Sequence, residues 1–146
     1  MEVLHANTDA EISACFPVLK VLRPHLHEPT FLATVRRQMA QGYHLVLIRD
    51  ADTVVSAAGF RILEFLAWGK VLYVDDLITD PAQRGRGFGG MLMEWLIAHA
   101  RAERCAELHL DSGYQRNAAH RLYLNKGLEM NCHHFALKLG SADKQG

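Results

Sequence analysis

Cysteine is scarce and badly placed for any scaffold role. Cys15, Cys105 and Cys132 are odd in number, widely separated, and include no C-x-x-C pair. That spacing excludes a disulfide framework and a thiolate zinc site, and three free thiols are expected. Charge of one sign is also lacking: Lys plus Arg and Asp plus Glu number 16 each, and the pI is about 7.1. Nucleic-acid binding needs a net basic face to neutralise phosphates, so no nucleic-acid partner is expected. No apolar run approaches the ~20 residues of a membrane span. Met1-Glu2-Val3-Leu4-His5 lacks the basic-then-apolar pattern of a secretory signal. A cytoplasmic protein with no membrane partner is the expectation. Nine histidines are present, but none falls in a spacing such as H-E-x-x-H, so no metal is expected.

What is present is enough apolar mass for one core. Hydrophobic residues make up 49% of 146 residues, and a chain of that length is one domain by default. Residues 1–140 read as that domain, and Ser141 to Gly146 as a frayed, flexible tail.

Val3-Leu4-His5 reads as a short strand. Thr8 and Glu11 fit a capping box and open a helix that carries Ile12, Cys15, Phe16 and Leu19, with Pro17 inside it. Pro24 and Pro29 bracket a loop, and Thr30 is placed to cap a second helix with Phe31, Val35 and Met39 at helical spacing. Strands are expected over Tyr43 to Ile48, Val54 to Phe65 and Val71 to Thr79, forming an antiparallel meander. Phe88, Met91, Leu92, Trp95 and Leu96 then form one apolar helical stripe. Glu107 to Leu110 is a strand, Arg116 to Lys126 a helix closed by Gly127, and Met130 to Leu139 a final strand. The order β-α-α-β-β-β-α-β-α-β makes an α+β mixed sheet.

The chemistry concentrates in "QRGRGFGG", Gln83 to Gly90. Glycine tolerates positive φ and has no Cβ, so backbone N–H groups can turn inward around an anion. A helix N-terminus behind the loop adds roughly half a positive charge. A P-loop is excluded, because no lysine follows the glycines. Gly85-x-Gly87-x-x-Gly90 also spells the dinucleotide fingerprint, with Asp111 near the position of a ribose-binding acid. Against that reading, Asp80 to Arg84 intervene after the strand, a meander precedes the loop, and only 35 residues follow Asp111.

The other register is Arg84-x-x-Gly87-x-Gly89. Preceded by "YVDDLITDP", it strongly resembles the acyl-CoA loop of the GNAT acyltransferase superfamily. "RNAAHRLYLNKGL", Arg116 to Leu128, is similar to that family's second signature, with Ala119, Leu122, Tyr123 and Gly127 in register. Arg116 stands where the family usually has Asn, with Asn117 one place late, and Leu128 replaces the usual Phe. Order and length also match, so the resemblance covers essentially the whole chain.

The resemblance implies a GNAT-like, mostly antiparallel central sheet with helices on both faces, and direct acetyl transfer from acetyl-CoA to an amine. It implies a pyrophosphate cradle made by Arg84, Gly85, Arg86, Gly87, Phe88, Gly89 and Gly90. It implies pantetheine contacts along the strand edge at Leu77, Ile78 and Thr79 and near Arg116 and Asn117. Tyr123 occupies the family's general-acid position. Asp75 lies where several members place a base, and strand alternation puts Leu77 and Thr79 on its face and Asp76 on the opposite one. His120, one turn before Tyr123, is a further candidate to line the site. The acceptor is a primary amine of a small molecule or peptide, selected by Pro24 to Thr30, Phe60 to Trp68 and the C-terminal region. Oligomeric state stays open, a homodimer being one arrangement the resemblance implies. A non-catalytic acyl-CoA-binding module on the same fold is the alternative, and a small dinucleotide-binding protein a more distant one.

Overall fold

The computed structural model describes residues 1–140, so the expected frayed tail, 141–146, lies outside the described residues. The chain runs β1 (Val3–His5), α1 (Asp9–Ala14), α2 (Phe16–Leu22), α3 (Glu28–Met39), β2 (His44–Asp50), β3 (Thr53–Phe65) and β4 (Gly69–Thr79). A 3-10 turn (Pro81–Gln83), α4 (Phe88–Ala102), β5 (Glu107–Leu110) and α5 (Asn117–Asn125) follow. Sheet order is β1-β2-β3-β4-β5. Every pairing is antiparallel except β4 with β5, which is parallel.

The Thr8–Glu11 capping box forms as the sequence predicts, with each side chain bonding the other residue's N–H. The helix it opens stops at Cys15, and Pro17 sits in the first turn of a new one, α2. Thr30 is not the cap of α3. Pro29 occupies the first turn, where its missing N–H costs nothing, and this moves the start back to Glu28. The expected strand from Met130 to Leu139 is not formed. Those residues find no ladder partner, and Phe135, Leu137 and Leu139 are 91%, 84% and 81% exposed.

Two apolar clusters sandwich the sheet. Ile12, Leu19, Phe31, Val35, Leu45, Leu47 and Ile78 pack between α1–α3 and one face. Val46, Val55, Phe60, Leu72, Val74, Leu92 and Leu96 pack between α4 and the other. Both layers bury residues of β4, the strand that borders the candidate site.

Candidate active site

β4 and β5 pair from Val71↔Glu107 to Val74↔Leu110 and no further. Beyond Val74 the strands diverge, and the β4 edge from Asp75 to Thr79 has no β5 partner. A cavity of about 290 Å³ fills the split, lined by Asp75, Asp76, Leu77, Ser112, Arg116 and Tyr123 among others. A larger cavity of about 1800 Å³ adjoins it and shares Asp75, Asp76, Ser112 and Tyr123.

The glycine loop closes one end of β4. Gly85 and Gly87 hold φ of +85° and +83°, and a Cβ built on either meets nothing within 4 Å. Gly87 is the N-cap of α4, and no side chain among the described residues caps that helix. The orphan N–H groups of its first turn therefore await an acceptor. Gly89 is needed for packing instead. A Cβ there would lie 3.3 Å from Leu122 Cδ2, so glycine lets α5 approach. Phe88 is buried in the core under α4. The Arg86 guanidinium lies over the Phe88 ring and is held by Asp50 at 2.8 Å and Gln83 at 2.5 Å. Arg84 is exposed and makes no ion pair among the described residues.

A bulge in β4 overturns the simple alternation. Gly59 pairs with Asp76 but Phe60 with Val74, leaving Asp75 as the extra residue. Val74 faces α4 and Ile78 faces α1–α3, although they are four apart. Asp75 and Asp76 consequently turn to the same face, that of α1–α3, whereas Leu77 and Thr79 turn to α4. Arg61 Nε donates to Asp75 Oδ2 at 2.8 Å, and Arg61 Nη2 donates to Gln38 Oε1 of α3 at 3.0 Å. Tyr43 Oη donates to Asp76 Oδ2 at 2.8 Å. Arg23, just after α2, bonds Asp76 Oδ1 at 3.0 Å and the carbonyl of Asp75 at 2.9 Å. Burial raises the Asp75 carboxyl above its ordinary range, and Arg61 opposes the shift without cancelling it.

Tyr123, on α5, lines both cavities. Burial raises its phenol, with Arg116 acting weakly the other way. Its proton therefore stays in place at neutral pH. Arg116 itself is the N-cap of α5 and lines the split; Asn117, the first helical residue, is exposed and lines neither cavity. His120 lines the larger cavity and binds the Gly113 carbonyl at 2.9 Å. Ser112 Oγ is buried and has no hydrogen-bond partner among the described residues. The residue lines both cavities.

Of the residues that the sequence singles out, the fold brings Asp75, Tyr123, Arg116 and the Leu77–Thr79 edge around one split, with the glycine loop at the end of β4. The sequence reading missed Arg23, Tyr43 and Arg61. The only available signal was Gly59, a glycine inside a strand, which marks a bulge or a close approach.

Residues 8–128 match the profile of the family described as "Acetyltransferase (GNAT) family". The chain is 27% identical over 117 residues to the uncharacterized N-acetyltransferase YhdJ of Bacillus subtilis (strain 168), covering 80% of this chain and 82% of that one. A putative acetyltransferase from Agrobacterium tumefaciens str. C58 superposes with a TM-score of 0.81 at 22% identity, covering 94% and 99%. The aminoglycoside N-acetyltransferase AAC(6')-Iy, solved in complex with CoA, superposes with a TM-score of 0.81 at 13% identity, covering 94% and 93%. With its mixed sheet, split strand pair and glycine loop, and with the family profile matched from Thr8 to Leu128, the chain belongs to the GNAT acetyltransferase family.

Proposed function

We propose that the protein is an N-acetyltransferase that moves an acetyl group from acetyl-CoA to a primary amine of a small molecule or peptide by direct attack. The observation that carries the reading is the split between β4 and β5. Around one cavity lie an unpaired strand edge, the Ser112 hydroxyl with no hydrogen-bond partner among the described residues, a half-buried carboxyl and a half-buried phenol, at the end of a strand that leads to an uncapped helix start.

These features fit acetyl-CoA. The loop from Arg84 to Gly90 and the first turn of α4 offer N–H groups, and Arg84 a cation without an ion pair among the described residues, to a pyrophosphate. The β4 edge at Leu77, Ile78 and Thr79 offers main-chain pairing to the amide-bearing pantetheine arm, the ligand counterpart of strand addition. The side chains of Leu77 and Ile78 point into the two cores, so the backbone is the contact. Arg116 reaches the same gap. The aminoglycoside acetyltransferase with the same fold binds CoA.

Acetyl-CoA supplies the activated thioester; the chain supplies proton management. An alkyl ammonium has a pKa of about 10 and must lose its proton to attack. Asp75 accepts that proton, directly or through a water. The amine nitrogen bonds to the carbonyl carbon, the C–S bond breaks, and Tyr123 gives its proton to the departing thiolate. A base with a raised pKa is better matched to neutral pH than an ordinary carboxylate.

The deciding experiment is acetyl-CoA turnover against an amine panel, with free-thiol release and acetylated product both measured. CoA binding without turnover on any amine establishes the non-catalytic acyl-CoA-binding alternative instead. Binding of NAD(H) and none of CoA sinks both.

A further inference from the structure

The larger cavity extends well away from the split, along the outer part of β4 and β5. Tyr73 precedes Asp75 by two residues and, like Asp75, turns to the α1–α3 side of the sheet. His109 is its cross-strand partner on β5. The two rings lie within 14° of parallel, with centroids 6.4 Å apart. Trp68, in the β3–β4 turn, stacks on His109 at 4.0 Å and 26°, and Phe65 backs Trp68 at 5.1 Å. Asp75, Tyr73, His109 and Trp68 all line the same cavity as Tyr123. Trp68 is 37% exposed, a large aromatic surface left open to solvent.

The charged groups along this row are arranged unequally. Asp75 is paired with Arg61, and Asp76 with Arg23. Asp111, at the end of β5, accepts a hydrogen bond from Tyr73 Oη. Its cationic neighbour is His134, at 3.4 Å and charged only if protonated. Glu107, beside the aromatic stack, has His109 at 2.7 Å. Asp111 thus stands at the split end of the row beside Asp75, and the other end is the stack of π faces, with Glu107 at its far edge against His109.

We infer that this row selects the acceptor: a primary amine carrying an aromatic ring two or three bonds from the nitrogen. The inference rests on the acetyl-transfer reading above and names its substrate class. Asp111 and Asp75 draw the ammonium end, and a ring face next to a carboxylate adds cation–π attraction while the amine is still charged. Two residues, at most ~6.6 Å along the strand, separate Asp75 from Tyr73, and the bulge leaves both on the α1–α3 side. A short two-carbon tether covers that span, so a ring attached to it lies over Tyr73 and His109, with Trp68 beyond. Free arylalkylamines and peptides that begin with an aromatic residue share this chemistry.

The test compares 2-phenylethylamine, n-propylamine and the peptide Phe-Gly-Gly as acceptors. Burial of one phenyl group makes kcat/KM for 2-phenylethylamine roughly ten- to a hundredfold higher than for n-propylamine. Trp68→Ala lowers the value for 2-phenylethylamine by about tenfold through KM, and Trp68→Phe restores most of it. CoA affinity stays unchanged in both variants, because Trp68 does not line the split. Phe-Gly-Gly turning over as well as 2-phenylethylamine identifies the peptide source; the reverse identifies the free amine. Equal kcat/KM for n-propylamine, or a ring preference untouched by Trp68→Ala, overturns the inference while leaving acetyl transfer intact. Calorimetry of 2-phenylethylamine on the CoA-loaded protein gives a readout independent of turnover. Ring-dependent binding that needs Trp68, with no turnover, refutes the catalytic reading and keeps the aromatic site.

Discussion

Gly59 is where packing and the site are joined most tightly, and Gly59→Ala is the sharpest structural test. A Cβ at this position would lie 1.8 Å from Tyr43 Oη, 2.2 Å from Cζ and 2.5 Å from Cε1. No real contact is that short, so the whole ring must leave. Tyr43 is 5% exposed and donates to Asp76, so it has nowhere cheap to go. Overpacking of a filled core costs about 1–3 kcal/mol. Loss of a hydrogen bond to a charged group costs about 1.5–3 kcal/mol. Their sum, about 2.5–6 kcal/mol, is a large part of the ~5–15 kcal/mol that holds an ordinary domain together. For a chain near 150 residues this lowers Tm by on the order of 10 °C. Urea unfolding followed by circular dichroism, with calorimetry for Tm, reads both numbers. Tyr43→Leu in the Gly59→Ala background removes the obstructing ring, so the two losses should fall short of additive by ~1 kcal/mol or more. A Gly59→Ala protein within about 1 kcal/mol of the parent, or strictly additive losses, refutes the close-approach argument.

Three functional predictions accompany it. Gly87→Val forces a branched residue to the φ of +83° that opens α4, so titration calorimetry should find CoA affinity collapsed while far-UV dichroism stays native. Tyr123→Phe keeps the ring and removes the acid; kcat should fall by roughly 10²–10⁴-fold with CoA affinity unchanged, and a loss of no more than about twofold assigns the proton to another donor. Asp75 must be ionised to accept a proton, and burial raises its pKa, so kcat/KM falls as pH drops through a value above the usual carboxylate range. Asp75→Asn should erase that limb and leave only the slope of the amine's own titration; an unchanged profile removes Asp75 from the mechanism.

Local rules carried the sequence reading wherever the deciding contact was local. The Thr8–Glu11 box, the apolar stripe of α4 and the glycine after α5 each depend on neighbours within a turn or two. Thr30 failed as a cap because a neighbouring residue, Pro29, set the backbone first. The strand expected from Met130 to Leu139 failed for a different reason: alternation states which face is apolar but supplies no partner strand. The face assignment of Asp76 failed at a bulge, whose register is written across two strands and a tyrosine from a third segment. Arg23 and Arg61 were invisible for the same reason, since Arg23 meets Asp76 from 53 residues away. Trp68 falls in a stretch that the sequence marked for acceptor choice, but its stacking on His109 is a product of the parallel β4–β5 register.

Ser112 offers a test in which stability and binding should move in opposite directions. A buried hydroxyl without a partner costs the fold about 1–3 kcal/mol of desolvation. Folding alone gives no reason to keep it, because alanine would fill nearly the same space. The hydroxyl lies where β4 and β5 part, beside the unpaired β4 edge and Tyr123. A ligand amide in the split would complete its hydrogen bond. Ser112→Ala should therefore stabilise the free protein by about 1 kcal/mol and weaken CoA binding by roughly five- to tenfold. Thermal melts with and without saturating CoA measure both effects on one sample: the variant melts higher alone and gains less from the ligand. A variant that melts lower alone shows that the hydroxyl has a partner within the fold. One that gains as much from CoA as the parent places the pantetheine arm elsewhere than the split.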